Sequence, residues 1–140
     1  MSSIFIIHFA ATWALAGLIW TVQLSLYPLF LRVGRESFPA YHAAHIRRIT
    51  WIVAPLMFVE LGTAVWLLVV EDNRNVFFLL SLLALGLNWI STALVQVPLH
   101  KTLERDGFDE RLLGKLVLTN WTRTGAWSLR ALLLVIALEM

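Results

Sequence analysis

The sequence predicts an all-α integral membrane protein, an antiparallel four-helix bundle built from two duplicated helical hairpins. Three observations predict it. The 140 residues are 59% hydrophobic and 14% charged, whereas soluble domains carry about 25% charged residues. Mean hydropathy is +0.76. Four apolar runs, each long enough for the roughly 20 residues a span requires, nearly use up the chain and leave one transmembrane domain over 1–140. Finally, the chain matches itself without gaps at an offset of 70 residues, giving repeats over about 1–70 and 71–140.

The first helix is expected at 4–31. It begins almost at Met1 with no basic segment ahead of it, which reads as a retained span, not a cleaved leader. Trp13, Trp20 and Tyr27 recur every seven residues, with Gln23 beside them. The break Arg32-Val33-Gly34-Arg35-Glu36-Ser37-Phe38-Pro39 precedes the second helix at 41–70. There Pro55 is expected to kink the helix or free a carbonyl near Trp51. His42 and Glu60 lie five turns apart on one face, about 27 Å along the axis. After Glu71-Asp72-Asn73-Arg74-Asn75 comes the third helix at 76–103. Its Ser81, Asn88, Thr92, Gln96 and His100 drift slowly around one face. The break Glu104–Asp109 precedes the fourth helix at 110–138, where Asn120, Arg123, Trp127 and Arg130 share a face.

Loops this short make sequential helices antiparallel neighbours. Arg32, Arg35, Arg47, Arg48, Lys101, Arg105, Arg111 and Lys115 gather at the 1–2 and 3–4 loops, and Arg74 alone marks the other side. Basic loops stay in the cytoplasm, so both termini face outward. Topology and anionic headgroups account for the basic charge, and no nucleic-acid partner is expected. The absence of cysteine excludes disulfides, thiolate catalysis and cysteine-ligated metals.

Glu60, Arg123 and Arg130 interrupt the apolar runs. A charge at bilayer depth costs about 2.5–3.5 kcal/mol on insertion scales, so such groups face an interior or cavity. The 70-residue offset superposes Pro28-Leu29 on Pro98-Leu99, Arg35 on Arg105, Phe38 on Phe108 and Trp51 on Trp121. It also superposes Glu60 on Arg130. Equivalent positions of parallel repeats lie at equal depth, so these two are expected to form an ion pair. Arg123, with no such partner, is the first place to look for a ligand. Arginine donors suit carbonyl and anionic oxygens.

The residues in catalytic roles are therefore Glu60, Arg123 and Arg130. Gln23, Tyr27, Asn88, Gln96, Asn120, Trp121 and Trp127 are expected to orient a planar or anionic ligand such as a quinone, a phenolate or a lipid headgroup. His42-x-x-His45 with His100 offers three imidazoles for a metal, and haem or a metal is the cofactor class these residues could hold. Interfacial histidines contacting water or headgroups explain the same pattern. Two further readings use the same residues: a transporter or channel subunit with a polar path, and a structural or partner-binding module in which the polar groups join helices. The path reading calls for a homo-oligomer or a very small substrate. Ala10-x-x-x-Ala14 is a weak packing motif for such an oligomer.

Trp20-x-x-Gln23 with Tyr27-Pro28-Leu29-Phe30, Pro55-Leu56-Met57-x-x-Glu60, Val97-Pro98-Leu99-His100 and Asn120-Trp121-x-Arg123-Thr124-x-x-Trp127-Ser128-x-Arg130 resemble a family of small bacterial four-helix membrane proteins, over nearly the whole chain. The chain is more distantly similar to anthrone-oxygenase-like membrane proteins. That similarity implies a bacterial inner membrane, an oxidoreductase-like activity and a planar phenolic substrate. The chain is also the size of four-helix haem-dependent protoporphyrinogen oxidases, whose first-helix pattern is echoed only by His8, Trp13 and Gly17. No ligand role follows from that echo.

Overall fold

The computed structural model describes residues 2–139. They form four helices and, among the described residues, no strand: α1 Ser3–Phe30, α2 Phe38–Val69, α3 Val76–Asp106 and α4 Glu110–Glu139. Three of these, α1 to α3, are long and apolar enough to cross a membrane. The sequence reading expected four such spans. α4 is as long but less apolar, because Lys115, Asn120, Arg123 and Arg130 interrupt it.

The helix ends follow from local chemistry. Ser2 Oγ accepts from the Phe5 N–H at 3.1 Å. Asn75 Oδ1 accepts from Phe77 and Phe78 at 2.9 and 3.3 Å, and Asp109 Oδ1 from Arg111 and Leu112 at 2.8 and 3.0 Å. These side chains satisfy amides that the first turn leaves without carbonyl partners. α2 starts at Phe38, three residues before the expected 41. Pro39 belongs to its first turn, where a missing N–H costs nothing. Gly107, with φ of +82°, ends α3, and that backbone region favours glycine.

Within the helices the prolines behave differently. α2 remains helical through Pro55. Pro28 and Pro98 instead follow widened π turns, Val22–Leu26 and Thr92–Gln96. Each proline lacks the N–H that would bond the carbonyl four residues back. The chain closes a wider ring, Tyr27 N–H to Val22 O and Val97 N–H to Thr92 O. Such turns displace the helix face and concentrate at functional sites.

α1 packs along α2 and α4, and α3 packs along α4. α2 meets α3 chiefly through the last stretch of α3, Val97–Asp106. A large apolar cluster around Phe30, Phe38, Leu103, Leu113 and Leu116 occupies the end with the α1–α2 and α3–α4 loops. A smaller one, Phe5, Leu67, Phe78 and Leu134, closes the other end. The thin α2–α3 contact leaves a cleft between those helices, and the candidate site lies at its base.

Candidate functional site

The buried polar groups fall into two assemblies. The first joins all four helices around Arg130 and Glu60, whose side chains are both fully buried. Arg130 Nε donates to Glu60 Oε1 at 2.9 Å. Arg130 Nη1 donates to the Ser81 carbonyl at 2.7 Å. Arg130 Nη2 meets His8 Nε2 at 2.9 Å. Since a guanidinium only donates, His8 Nε2 is the acceptor and the ring proton is on Nδ1. Nδ1 then donates to Thr63 Oγ1 at 2.8 Å, and the Thr63 hydroxyl donates to Val59 O at 2.6 Å. Glu60 is equally occupied: Oε1 also accepts from Thr12 at 2.8 Å, and Oε2 from the Trp127 indole at 3.2 Å. The expected Glu60–Arg130 pair forms. It is closed, with every Arg130 nitrogen engaged, and no donor remains for a ligand.

The second assembly lines a cavity of about 400 Å³. Its walls are α2, through Ile46, Val53, Met57 and Phe58, and α3, through Trp89, Thr92, Val97 and His100. Its floor is α1, through Ile19, Val22 and Tyr27, and α4, through Arg123 and Trp127. Lys101 and Glu104 stand at the end nearer the loops. The walls are mostly apolar, and the polar groups converge at the floor, as small-molecule sites generally do.

Arg123 is buried there with 6% of its surface exposed. Its Nη1 donates to Asn120 Oδ1 at 3.2 Å, while Nε has no partner. Its guanidinium carbon lies 5.1 Å from the Trp127 ring centroid. Trp127 therefore stands between the assemblies, bonded to Glu60 on one side and facing Arg123 on the other. Thr92 Oγ1 and Trp89 Nε1, both on the cavity wall, are also buried without partners. Three residues on the wall of one apolar space thus each carry a donor that is buried without a partner, and a buried polar group left without a partner costs about 1–3 kcal/mol.

A hydrogen-bonded chain leads from this floor toward the loops. Tyr27 Oη meets His100 Nε2 at 2.9 Å, and His100 Nδ1 meets His42 Nε2 at 3.0 Å. The chain can be ordered with Tyr27 donating to His100 and His100 to His42, or with both bonds reversed. Reversing both bonds requires a proton to enter at Tyr27 Oη and another to leave from His42 Nδ1, which is buried without a partner.

The structure places several of the expected site residues away from the cavity. Among the described residues, no three His, Asp or Glu side chains converge on a metal position. His42 and His100 bond to each other, and His45 packs edge-on against Phe30 at 4.9 Å with its Nε2 unpartnered. The i, i+3 spacing of His42 and His45 set them on neighbouring positions, and Phe30 packs edge-on against both rings, but only His42 bonds to His100. Trp121 is 45% exposed and packs edge-on against Trp20 outside the cavity. Gln23 and Asn120 are committed to joining α1 and α4: Gln23 Oε1 accepts from Asn120 at 2.9 Å and Thr124 at 3.1 Å, and Gln23 Nε2 donates to Val117 O at 3.1 Å. Gln96 donates to Thr119 at 3.0 Å and leaves its Oε1 unpartnered. Asn88 is fully buried with neither amide atom bonded, and it lies off the cavity wall. Of the expected site, the cavity brings together Tyr27, Arg123, Trp127 and His100.

Ser81 lies on the polar stripe expected for the third helix, whereas Thr12, Thr63 and Thr124 were given no role. The i, i+4 spacing of His8 and Thr12 placed them on one face of α1, which was the available signal. The repeat gave no help, because Phe78 and Leu82 occupy the equivalent positions. No known protein family, no curated protein and no solved structure matches the chain.

Proposed function

We propose that the chain is a membrane-embedded binding protein for a planar, oxygen-bearing ligand of the quinone or phenol class, held in an antiparallel four-helix bundle. In this reading both termini face outward, and the α1–α2 and α3–α4 loops lie in the cytoplasm. Broad apolar exposure supports the membrane setting: Trp51, Leu83, Leu94 and Leu118 are each more than 70% exposed, far from what an isolated soluble surface tolerates. α4 crosses with Arg123 and Arg130 turned inward.

One observation carries the ligand reading. Arg123 is buried on the wall of an apolar cavity with a guanidinium nitrogen unpartnered. A quinone carbonyl or phenolate oxygen supplies the acceptor it lacks, and flat walls at Trp89 and Trp127 suit a ring. The Tyr27–His100–His42 chain then exchanges a proton with the bound oxygen. The resemblance to anthrone-oxygenase-like proteins implies the same substrate class.

The test is quinone binding by the detergent-purified protein, followed by native mass spectrometry and quenching of tryptophan fluorescence. Bound quinone is expected for the native chain and lost in Arg123→Met. Equal binding by both proteins rejects Arg123 as the ligand contact.

The structural-module reading is favoured by the first assembly, in which Glu60 and Arg130 bond each helix to the others. It accounts for that assembly and not for the open groups around the cavity. The polar-path reading is disfavoured by Trp127, whose buried ring fills the space between the two polar assemblies.

A further inference from the structure

The two repeats treat their equivalent seams differently, and the difference says how a ligand arrives. Under the 70-residue offset that pairs Glu60 with Arg130, the α1–α4 seam corresponds to the α2–α3 cleft. The π turns correspond too: Gln23 occupies the second position of Val22–Leu26, and Ala93 the second position of Thr92–Gln96.

In the α1–α4 seam Gln23, Asn120 and Thr124 are buried and bonded to one another. Trp20 adds a bond from its indole to Ser128 at 3.0 Å. Their equivalents across the α2–α3 cleft are Ala93 for Gln23, Thr50 for Asn120, Ala54 for Thr124 and Phe58 for Ser128. None of those can rebuild the latch. Ala93 and Thr50 are exposed and Ala54 is half-buried, while Thr50, Ala54 and Phe58 line the cavity. The cavity is therefore the unlatched counterpart of a closed seam, and its mouth is a slot between two apolar helices. In hydrocarbon a closed seam is held by packing and interhelical hydrogen bonds. The side that lost both faces lipid.

We propose that the α2–α3 cleft is a lateral port through which a lipid-dissolved quinone or phenol reaches Arg123 head first, with its hydrocarbon tail remaining in the cleft. This inference rests on the ligand-site reading above and adds the tail and the route. The apolar mouth, at Val53, Ala54 and Phe58, takes the tail. At the base stand Arg123, Thr92 and Trp89, each with a donor that has no partner in the closed bundle, and small side-chain shifts bring these donors to the oxygens of the head.

The experiment uses the full chain in detergent with two probes, a decyl-tailed benzoquinone and its tail-less parent. The native protein is expected to bind the tailed probe at least about tenfold more tightly than the parent. Thr50→Asn, Ala54→Thr and Ala93→Gln together install the latch of the other seam. That variant is expected to lose the tailed probe by about the same factor while melting at or above the native temperature. Equal affinity of the native protein for the two probes overturns the port, and so does a folded latched variant that binds the tailed probe as the native chain does. Should the latched variant not fold, the two-probe comparison on the native chain decides alone. A native protein that takes up neither probe fails the ligand reading itself. A dimer that buries the cleft, or a phospholipid held in it against added quinone, replaces the proposed occupant and overturns it.

Discussion

At Arg130 every guanidinium nitrogen has a partner, whereas Arg123, two turns earlier on α4, has an empty Nε. The two arginines should respond to mutation in opposite ways. Glu60→Ala strands a fully buried cation, and losing one partner of a buried pair costs about 3–5 kcal/mol. Removing both charges leaves no cation to strand. Chemical unfolding in detergent is expected to show Glu60→Ala as less stable than the Glu60→Ala, Arg130→Met double variant. Additive effects would mean that the pair carries no coupling. Arg123→Met should change stability by less than about 1 kcal/mol or raise it, because an incompletely paired buried charge is replaced by packed apolar atoms. A large loss of stability in Arg123→Met would make Arg123 a structural residue and remove the basis of the ligand reading. A residue that is dispensable for folding but costly to bury is the signature of a site held ready for something else.

Among the elements, the π turns and the two glutamines near them separate joining from waiting. Gln23 receives two bonds and gives one across the α1–α4 seam, all within a buried layer. Gln23→Leu removes an acceptor from both Asn120 and Thr124. Thr124 keeps its bond to the Asn120 carbonyl, so one buried donor, the Asn120 amide, is left alone, and the variant should be destabilised by about 1–3 kcal/mol. Gln96→Leu removes a single bond, to Thr119, together with an oxygen that already lacks a partner. That change should cost about 1 kcal/mol or less. Thermal unfolding of the two variants side by side checks the asymmetry. Equal losses would mean that the α3–α4 contact around Gln96 is as tightly bonded as the α1–α4 seam.

For the whole molecule, the testable quantity is orientation. The chain has no cysteine, so single cysteines report cleanly. With the basic loops in the cytoplasm, Asn73→Cys should react with a membrane-impermeant maleimide in intact cells. Glu36→Cys and Asp106→Cys should react only after permeabilisation. Labelling at Glu36→Cys without permeabilisation would invert the topology. At this scale much of the architecture was legible. Helix positions come from local apolar runs, and the three longest spans differ from expectation by only a few residues at their ends, Pro39 being the clearest case. The Glu60–Arg130 pair was legible through the 70-residue offset, under which the two residues are expected at equal depth. The three histidines do not converge on one metal position among the described residues, and Trp121 lies outside the cavity. Face and depth say which residues are neighbours on one helix, but His45 turns to Phe30 and Trp121 turns outward through contacts made with other helices. By itself, then, the sequence determined four helices, their short connections and the pairing of two charges, all set by local composition and a repeat. Only the tertiary structure decided that Arg130 is saturated and Arg123 is not, and that one of two equivalent seams stays open. Those outcomes depend on which distant side chains share a hydrogen bond, and a bond between Gln23 and Asn120, or its absence between Ala93 and Thr50, exists only once the helices have packed.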